Sequence, residues 1–218
     1  MSKVIGIIQV KGGAGRSTIA TNLAGIFSAE GKRVALIDCD MPQGTSASWA
    51  AIRLADKPDS LTVATASSHQ ELVAAVKRLD AEHDYLVIDG PPRIAEMTRA
   101  ALILSHLCLI PLSASAAEIW ATSDLLATIE EAKQVKPSVD ARILWTRFRG
   151  STKSAQELSA AAKSELGLKE LKEKLGYRVA FSEALARGMT AAEWPERTAR
   201  VEMQSVAKEV INIMGARK

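Results

Sequence analysis

At 218 residues, with 47% hydrophobic and 24% charged residues, the chain has the size and composition of one domain with a full core and is short for two. No apolar run approaches the ~20 residues of a membrane-spanning helix and no secretory leader is read, so membrane-spanning and exported classes are set aside for a soluble, cytoplasmic one. The net charge of +3 is unevenly spread: residues 1–140 carry a net −3 and residues 141–218 a net +6, which suits either a solvated helical surface or a polyanion such as DNA.

In chain order, the apolar run VIGIIQV (4–10) predicts a strand that delivers the chain to KGGAGRS (11–17). Three glycines there let backbone N–H groups turn inward around an anion, and a helix starting at Ser17 brings its positive end to the same point. The loop Gly12, Gly13, Ala14, Gly15, Arg16 is therefore read as a phosphate cradle, with the hydroxyl of Ser17 or Thr18 placed for Mg²⁺. A strict G-x-x-x-x-G-K-[ST] pattern is not met, because the glycine spacing and the residue before Ser17 both differ.

The next strand, 33–38, runs into LIDCDMPQGTSASW (36–49), which sets Asp38 and Asp40 at the strand end where open α/β sheets bind ligands. An acid there can orient water, although a helix-capping role serves a single aspartate equally well. The run DYLVIDGPP (84–92) ends a buried strand, 85–90, on Asp89 ahead of a turn set by Gly90, Pro91 and Pro92, which suits Mg²⁺ through a water. Further strands are read at 106–112 and 141–146, with a helix over 116–134 burying Ile119, Leu126, Ile129 and Ala132. Cys39 and Cys108 lie in apolar strand-like segments without metal-ligand spacing and read as buried thiols of a reducing compartment. Strands alternating with helices, and continuously apolar, predict a mostly parallel twisted sheet flanked by helices on both faces, a single α/β domain over residues 1–218.

The three motifs KGGAGRST, LIDCDMPQG and DYLVIDGPP, in this order, resemble the deviant Walker A, switch I and Walker B motifs of the ParA/MinD ATPases. HLCLIPLSASAAEIWATSDLLATIEEA (106–132) and YRVAFSEALARGMTAAEW (177–194) are similar to later segments of small ParA proteins, so the resemblance spans nearly the whole chain. It implies a single-domain P-loop NTPase fold, ATP/ADP and Mg²⁺ as cofactors, a weak ATPase activity, and an ATP-dependent homodimer in which Lys11, the family's signature lysine, reaches the partner's phosphates as an arginine finger does elsewhere. Arg16 stands where the family places the lysine that binds β/γ-phosphate. A planar fork in place of a point charge implies nucleotide binding with altered hydrolysis geometry.

Asp40 takes the water-positioning role, with Met41 lengthening the loop before Pro42 and Gln43. On the adenine side, where relatives commonly have an asparagine, stand Thr146 and Arg147. The resemblance gives the basic region a partner, the backbone of non-specific double-stranded DNA, with Arg147, Arg149, Lys153, Arg178, Arg187, Arg197 and Arg200 as candidates and roughly half of them expected to be ordinary surface residues. Because the first strand begins by about residue 3, no operator-reading helix-turn-helix is expected. A C-terminal helix over 198–214 places Met203, Val206, Val210 and Met214 on one stripe, read as core packing rather than a membrane anchor. The implied activity is a nucleoid-associated partition or positioning ATPase whose hydrolysis is stimulated by a ParB-like adaptor. The alternatives are a dethiobiotin-synthetase-like ligase and a MinD-like membrane positioner.

Overall fold

The computed structural model describes residues 1–41, 43–56, 61–91, 95–150 and 152–216. Pro42 and Pro92, parts of the second and third motifs, lie outside them. Strands β1 (Lys3–Ile7), β2 (Val34–Asp38), β3 (Leu61–Thr65), β4 (Tyr85–Asp89), β5 (Leu107–Leu112), β6 (Ala141–Trp145) and β7 (Lys169–Glu170) form one sheet in the order β3-β2-β4-β1-β5-β6-β7. All of its pairings are parallel. Parallel neighbours need crossovers, which α1 (Arg16–Ala29), α2 (Thr45–Asp56), α3 (His69–Leu79), α4 (Ala95–Leu104), α5 (Ala116–Val135) and α6 (Lys153–Leu166) supply, followed by α7 (Ala180–Leu185) and α8 (Arg197–Gly215).

The expected α/β sheet covered on both faces is the one observed. Alternate residues of the central strands feed two separate cores. Ala35, Ile37, Leu86, Ile88, Cys108 and Ile110 pack with α3, α4, α5 and α6, while Val34, Leu36, Val87, Leu107 and Leu109 pack with α1, α2, α7 and α8. This double coverage is why the strands read as continuous apolar runs. The stripe Met203, Val206, Val210 and Met214 is buried in the second core, so α8 spends its apolar face on the sheet. Among the described residues no helix is long and apolar enough to cross a membrane. Cys39 and Cys108 are buried free thiols, and burial beside Asp89 and Asp38 pushes the Cys39 thiol well up, which leaves it inert.

The differences from the expected elements are local. β1 ends at Ile7, three residues short of the apolar run, because Gln9 turns its side chain inward to donate to the carbonyl of Pro111 (3.1 Å) and the hydroxyl of Thr122 (3.1 Å). The edge strands β3 and β7 were not anticipated, the first because LTVAT is half polar, the second because it is two residues long. In α5 the inward face is carried by Ile119, Thr122, Leu125, Ile129 and Ala132, with Leu126 at its margin.

Candidate phosphate-binding site

Sheet register brings the motifs together. Asp89 pairs with Ile7 on one side and with Asp38 on the other, so the chain leaves β1 for the glycine loop beside two carboxylates on adjacent strand ends, about 5 Å apart from strand to strand. Gly13 (φ 75) and Gly15 (φ 97) adopt the left-handed conformation, which a side chain would strain. A Cβ built on Gly12, Gly13 or Gly15 meets nothing within 4 Å, so the loop opens onto free space. Gly15 caps α1 without a side-chain hydrogen bond, leaving the first-turn N–H groups of Arg16, Ser17 and Thr18 facing that space. Open loop, left-handed glycines and a bare helix start together fit a phosphate chain.

Asp89 is fully buried; its Oδ2 accepts from the hydroxyl of Ser46 (2.7 Å), whereas Oδ1 has no hydrogen-bond partner among the described residues. Burial raises this carboxyl to about 7, with Asp38 adding to the rise and the hydroxyls of Ser46 and Ser17 and the charge of Arg16 opposing it. An orphaned carboxylate oxygen on the strand end beside a phosphate cradle fits a hydrated Mg²⁺, which would satisfy it and restore its charge. Asp38 has the capping role. Its Oδ1 accepts from the N–H of Asp40 (3.0 Å) and its Oδ2 from that of Ala47 (2.9 Å) at the start of α2.

Arg16 departs from its expected place. Its guanidinium is buried and turned away from the cradle. It donates to the carbonyls of Gly90 (2.9 Å), Gln9 (2.6 Å) and Lys11 (2.9 Å) and to Asp40 Oδ2 (3.2 Å). The side chain is therefore a strut joining the glycine loop to the ends of β2 and β4, and a fork with five donors suits that task where an ammonium does not. Only its backbone N–H stays with the cradle. Asp40 is correspondingly held by Arg16, and its carbonyl accepts from the N–H of Gly44 (2.8 Å), closing a turn that carries Met41 outward.

Lys11 stays at the rim, 38% exposed, with its Nζ 3.9 Å from Glu118 Oε1. Glu118, in the first turn of α5, was missed by the sequence reading because a lone acid at a helix start has an ordinary explanation. Arg147 sits opposite with φ 50, its guanidinium on the carbonyl of Gly13 and 3.7 Å from Glu118 Oε1. Thr146 Oγ1 lies 3.5 Å from the carbonyl of Ala14. A cleft of about 430 Å³ follows the loop, lined by Ala14, Gly15, Thr18, Thr146, Arg147 and a wall from Leu175 to Ser182 that includes Tyr177 and Phe181. That wall was also missed; its signal was an apolar and aromatic stretch, YRVAF, that runs into the short helix α7.

The remaining basic candidates divide. Arg149 lies over the ring of Tyr177 at 5.8 Å and Arg187 over that of Trp194 at 4.9 Å; Lys153 and Arg197 are exposed. Arg178 is clamped by Glu202 (2.6 Å) and Glu196 (3.5 Å), and Arg200 donates to the carbonyl of Trp194 (2.8 Å), so these two serve the fold of the C-terminal region.

Comparison with known proteins places the chain in a family. Residues 5–191 match the CobQ/CobB/MinD/ParA nucleotide binding domain. The maintenance of carboxysome distribution protein A of Halothiobacillus neapolitanus is 26% identical over 95% of both chains, and the chromosome-partitioning ATPase Soj of Thermus thermophilus 29% identical over 87% of both. Among solved structures, the cell division ATPase MinD of Pyrococcus furiosus superposes with TM-score 0.78 (18% identity, 98% of this chain and all of that one). Cobyrinic acid a,c-diamide synthase of Mycobacterium smegmatis, with a bound ATP analogue and magnesium, gives 0.80 (18% identity, all of this chain and 97% of that one). With its three motifs assembled on one edge of a parallel sheet, the chain belongs to the CobQ/CobB/MinD/ParA family of nucleotide-binding domains, that of the MinD and ParA Walker ATPases.

Proposed function

We propose that residues 1–218 form a single ParA-type ATPase domain that binds ATP and Mg²⁺, closes into a homodimer, grips non-specific double-stranded DNA in that state and distributes a cargo over the nucleoid, with a ParB-like adaptor stimulating weak hydrolysis. The observation that carries this reading is the division of labour between two cations of one loop. Arg16 is spent on the protein's own carbonyls and on Asp40, while the Lys11 ammonium stands at the rim with a long contact to Glu118. A cradle whose own interior cation is committed inward depends on charge delivered from elsewhere, which a partner's Lys11 would supply.

In this reading the N–H groups from Gly12 to Thr18 hold the phosphates and Thr146, Arg147 and the wall from Leu175 to Ser182 border the base. Mg²⁺, held through Ser17, Asp40 and Asp89, would neutralise phosphate oxygens. Asp40, kept in place by Arg16, orients the attacking water. Arg147, Arg149, Lys153, Arg187 and Arg197 offer the DNA-facing charge. The names of the relatives, carboxysome distribution and chromosome partitioning, support a positioning role. The buried stripe of α8 counts against a membrane-positioner reading, since its apolar face is already covered.

The test is ATP turnover and oligomeric state, measured together. ATP with Mg²⁺ should convert monomer to dimer in the parent chain, and Lys11→Ala should abolish both that conversion and hydrolysis. Turnover by a monomer that depends on a small carboxylate acceptor would instead favour a ligase.

A further inference from the structure

We infer that Glu118 is an internal counter-ion at the mouth of the phosphate loop, holding Lys11 and Arg147 on their own subunit until nucleotide phosphates displace it. The role given to Lys11 rests on the proposed function; the competition between Glu118 and a phosphate does not. The carboxylate is nearly buried, at 9% exposure, and its position is fixed: Oε2 accepts the N–H of Ser113 (2.9 Å) at the end of β5. The same helical turn is fastened again through its backbone, because the Glu118 carbonyl accepts from the hydroxyl of Thr122 (2.8 Å), which in turn accepts from Gln9 below the loop.

The free oxygen, Oε1, faces both rim cations, Lys11 at 3.9 Å and Arg147 at 3.7 Å. Both distances exceed the 2.7–3.2 Å of a formed hydrogen bond, and the cations are 38% and 46% exposed, so the pairing is electrostatic and separable. The contrast with Arg16 is the point. Arg16 makes four hydrogen bonds in a buried setting, whereas the rim cations share one carboxylate that cannot follow them, with Arg147 also resting on the carbonyl of Gly13. An anion placed in the cradle gains both cations only at the expense of Glu118. Glu118 therefore positions the two rim cations and sets a threshold for their release, without itself touching the reacting atoms.

Two readouts test this. In the first, a carbodiimide that joins adjacent amines and carboxylates is applied to the parent chain, and the Lys11–Glu118 cross-linked peptide is quantified by mass spectrometry. The cross-link should form without nucleotide and fall several-fold with ATP and Mg²⁺ present. Its absence without nucleotide, or its indifference to ATP, overturns the inference whatever the oligomeric state.

In the second, Glu118→Gln keeps the acceptor for the Ser113 N–H and removes only the charge. Its dissociation constant for a fluorescent mant-ADP should fall by roughly three- to tenfold. That gain should vanish in the background of Lys11→Ala with Arg147→Ala. Equal or weaker binding by a Glu118→Gln protein with parental circular dichroism contradicts the proposal. Should that variant not fold, Glu118→Asp, whose shorter carboxylate retreats from both cations, should give part of the same gain. A parent chain that stays monomeric with ATP would sink the dimer reading and leave these results standing.

Discussion

Replacing Arg16 by alanine should destabilise the protein before any nucleotide is added. The side chain is 6% exposed and donates to three carbonyls and one carboxylate, at 2.6 to 3.2 Å. Its removal strands Asp40, itself only 15% exposed, and leaves the carbonyls of Gln9, Lys11 and Gly90 to find water at the edge of the sheet. Breaking a buried pair by deleting one partner costs ~3–5 kcal/mol. The carbonyls add less than a full hydrogen bond each, since the glycine loop beside them opens to solvent. For a chain of this length each kcal/mol moves the midpoint by ~2–4 °C, so Arg16→Ala should unfold roughly 6–20 °C below the parent. Arg16→Lys, which keeps the charge but cannot span all four acceptors, should lose about half as much. Thermal unfolding followed by circular dichroism, without nucleotide or magnesium, measures this apart from phosphate binding. Arg16→Ala melting within ~2 °C of the parent while losing its affinity for ADP would refute the strut and return the arginine to the phosphates.

Asp89 carries a pH signature. Its carboxyl, raised by burial to about 7, keeps a proton in the folded protein that the unfolded chain releases near 4. Without Mg²⁺, stability should therefore decline as pH rises from about 4 to about 7 and level off above. Asp89→Asn, which still accepts from Ser46, should melt higher than the parent at pH 8, lose that advantage towards pH 5, and gain nothing from Mg²⁺ with ADP; an unchanged pH profile would refute the burial argument. Gly90→Ala should cost more than an ordinary surface change, because its Cβ would fall 2.6 Å from the carbonyl oxygen of Ile7 in the turn that also receives Arg16. A midpoint equal to the parent's would mean that the turn yields. Met203→Ala, in the face of α8 buried against the sheet, should destabilise by ~2–5 kcal/mol in denaturant titration; a loss under ~1 kcal/mol would mean that α8 is not part of the core.

Strands buried on both faces announce themselves as apolar runs, and the glycine loop and the two acidic strand ends are local in sequence, so the parallel sheet and the place of the cradle were legible before any coordinates. Arg16 shows where that legibility stops. The residue type and position were visible, but its direction is decided by three carbonyls, at 9, 11 and 90, that no motif records. Glu118 and the wall from Leu175 to Ser182 reach the site through tertiary packing, from the first turn of α5 and from a loop that runs into the short helix α7. Thr146 and Arg147 were reached only through the family resemblance, and the structure sets them directly after β6, whose C-terminal end lies at the same edge. The basic region shows the opposite limit, because a count of charges cannot tell Arg178, clamped by two glutamates, from Lys153, 90% exposed with a long 3.7 Å contact to Glu157 on its own helix.

The central claim is that ATP makes this chain a DNA-gripping dimer, and fluorescence anisotropy with random duplex DNA tests it directly. The protein would be titrated with no nucleotide, with ADP and with ATP plus Mg²⁺, each at two salt concentrations. Binding that appears only with ATP and weakens steeply with salt is the predicted result. Saturation of the protein by ATP with no DNA binding in any state, or binding indifferent to nucleotide, would contradict the account.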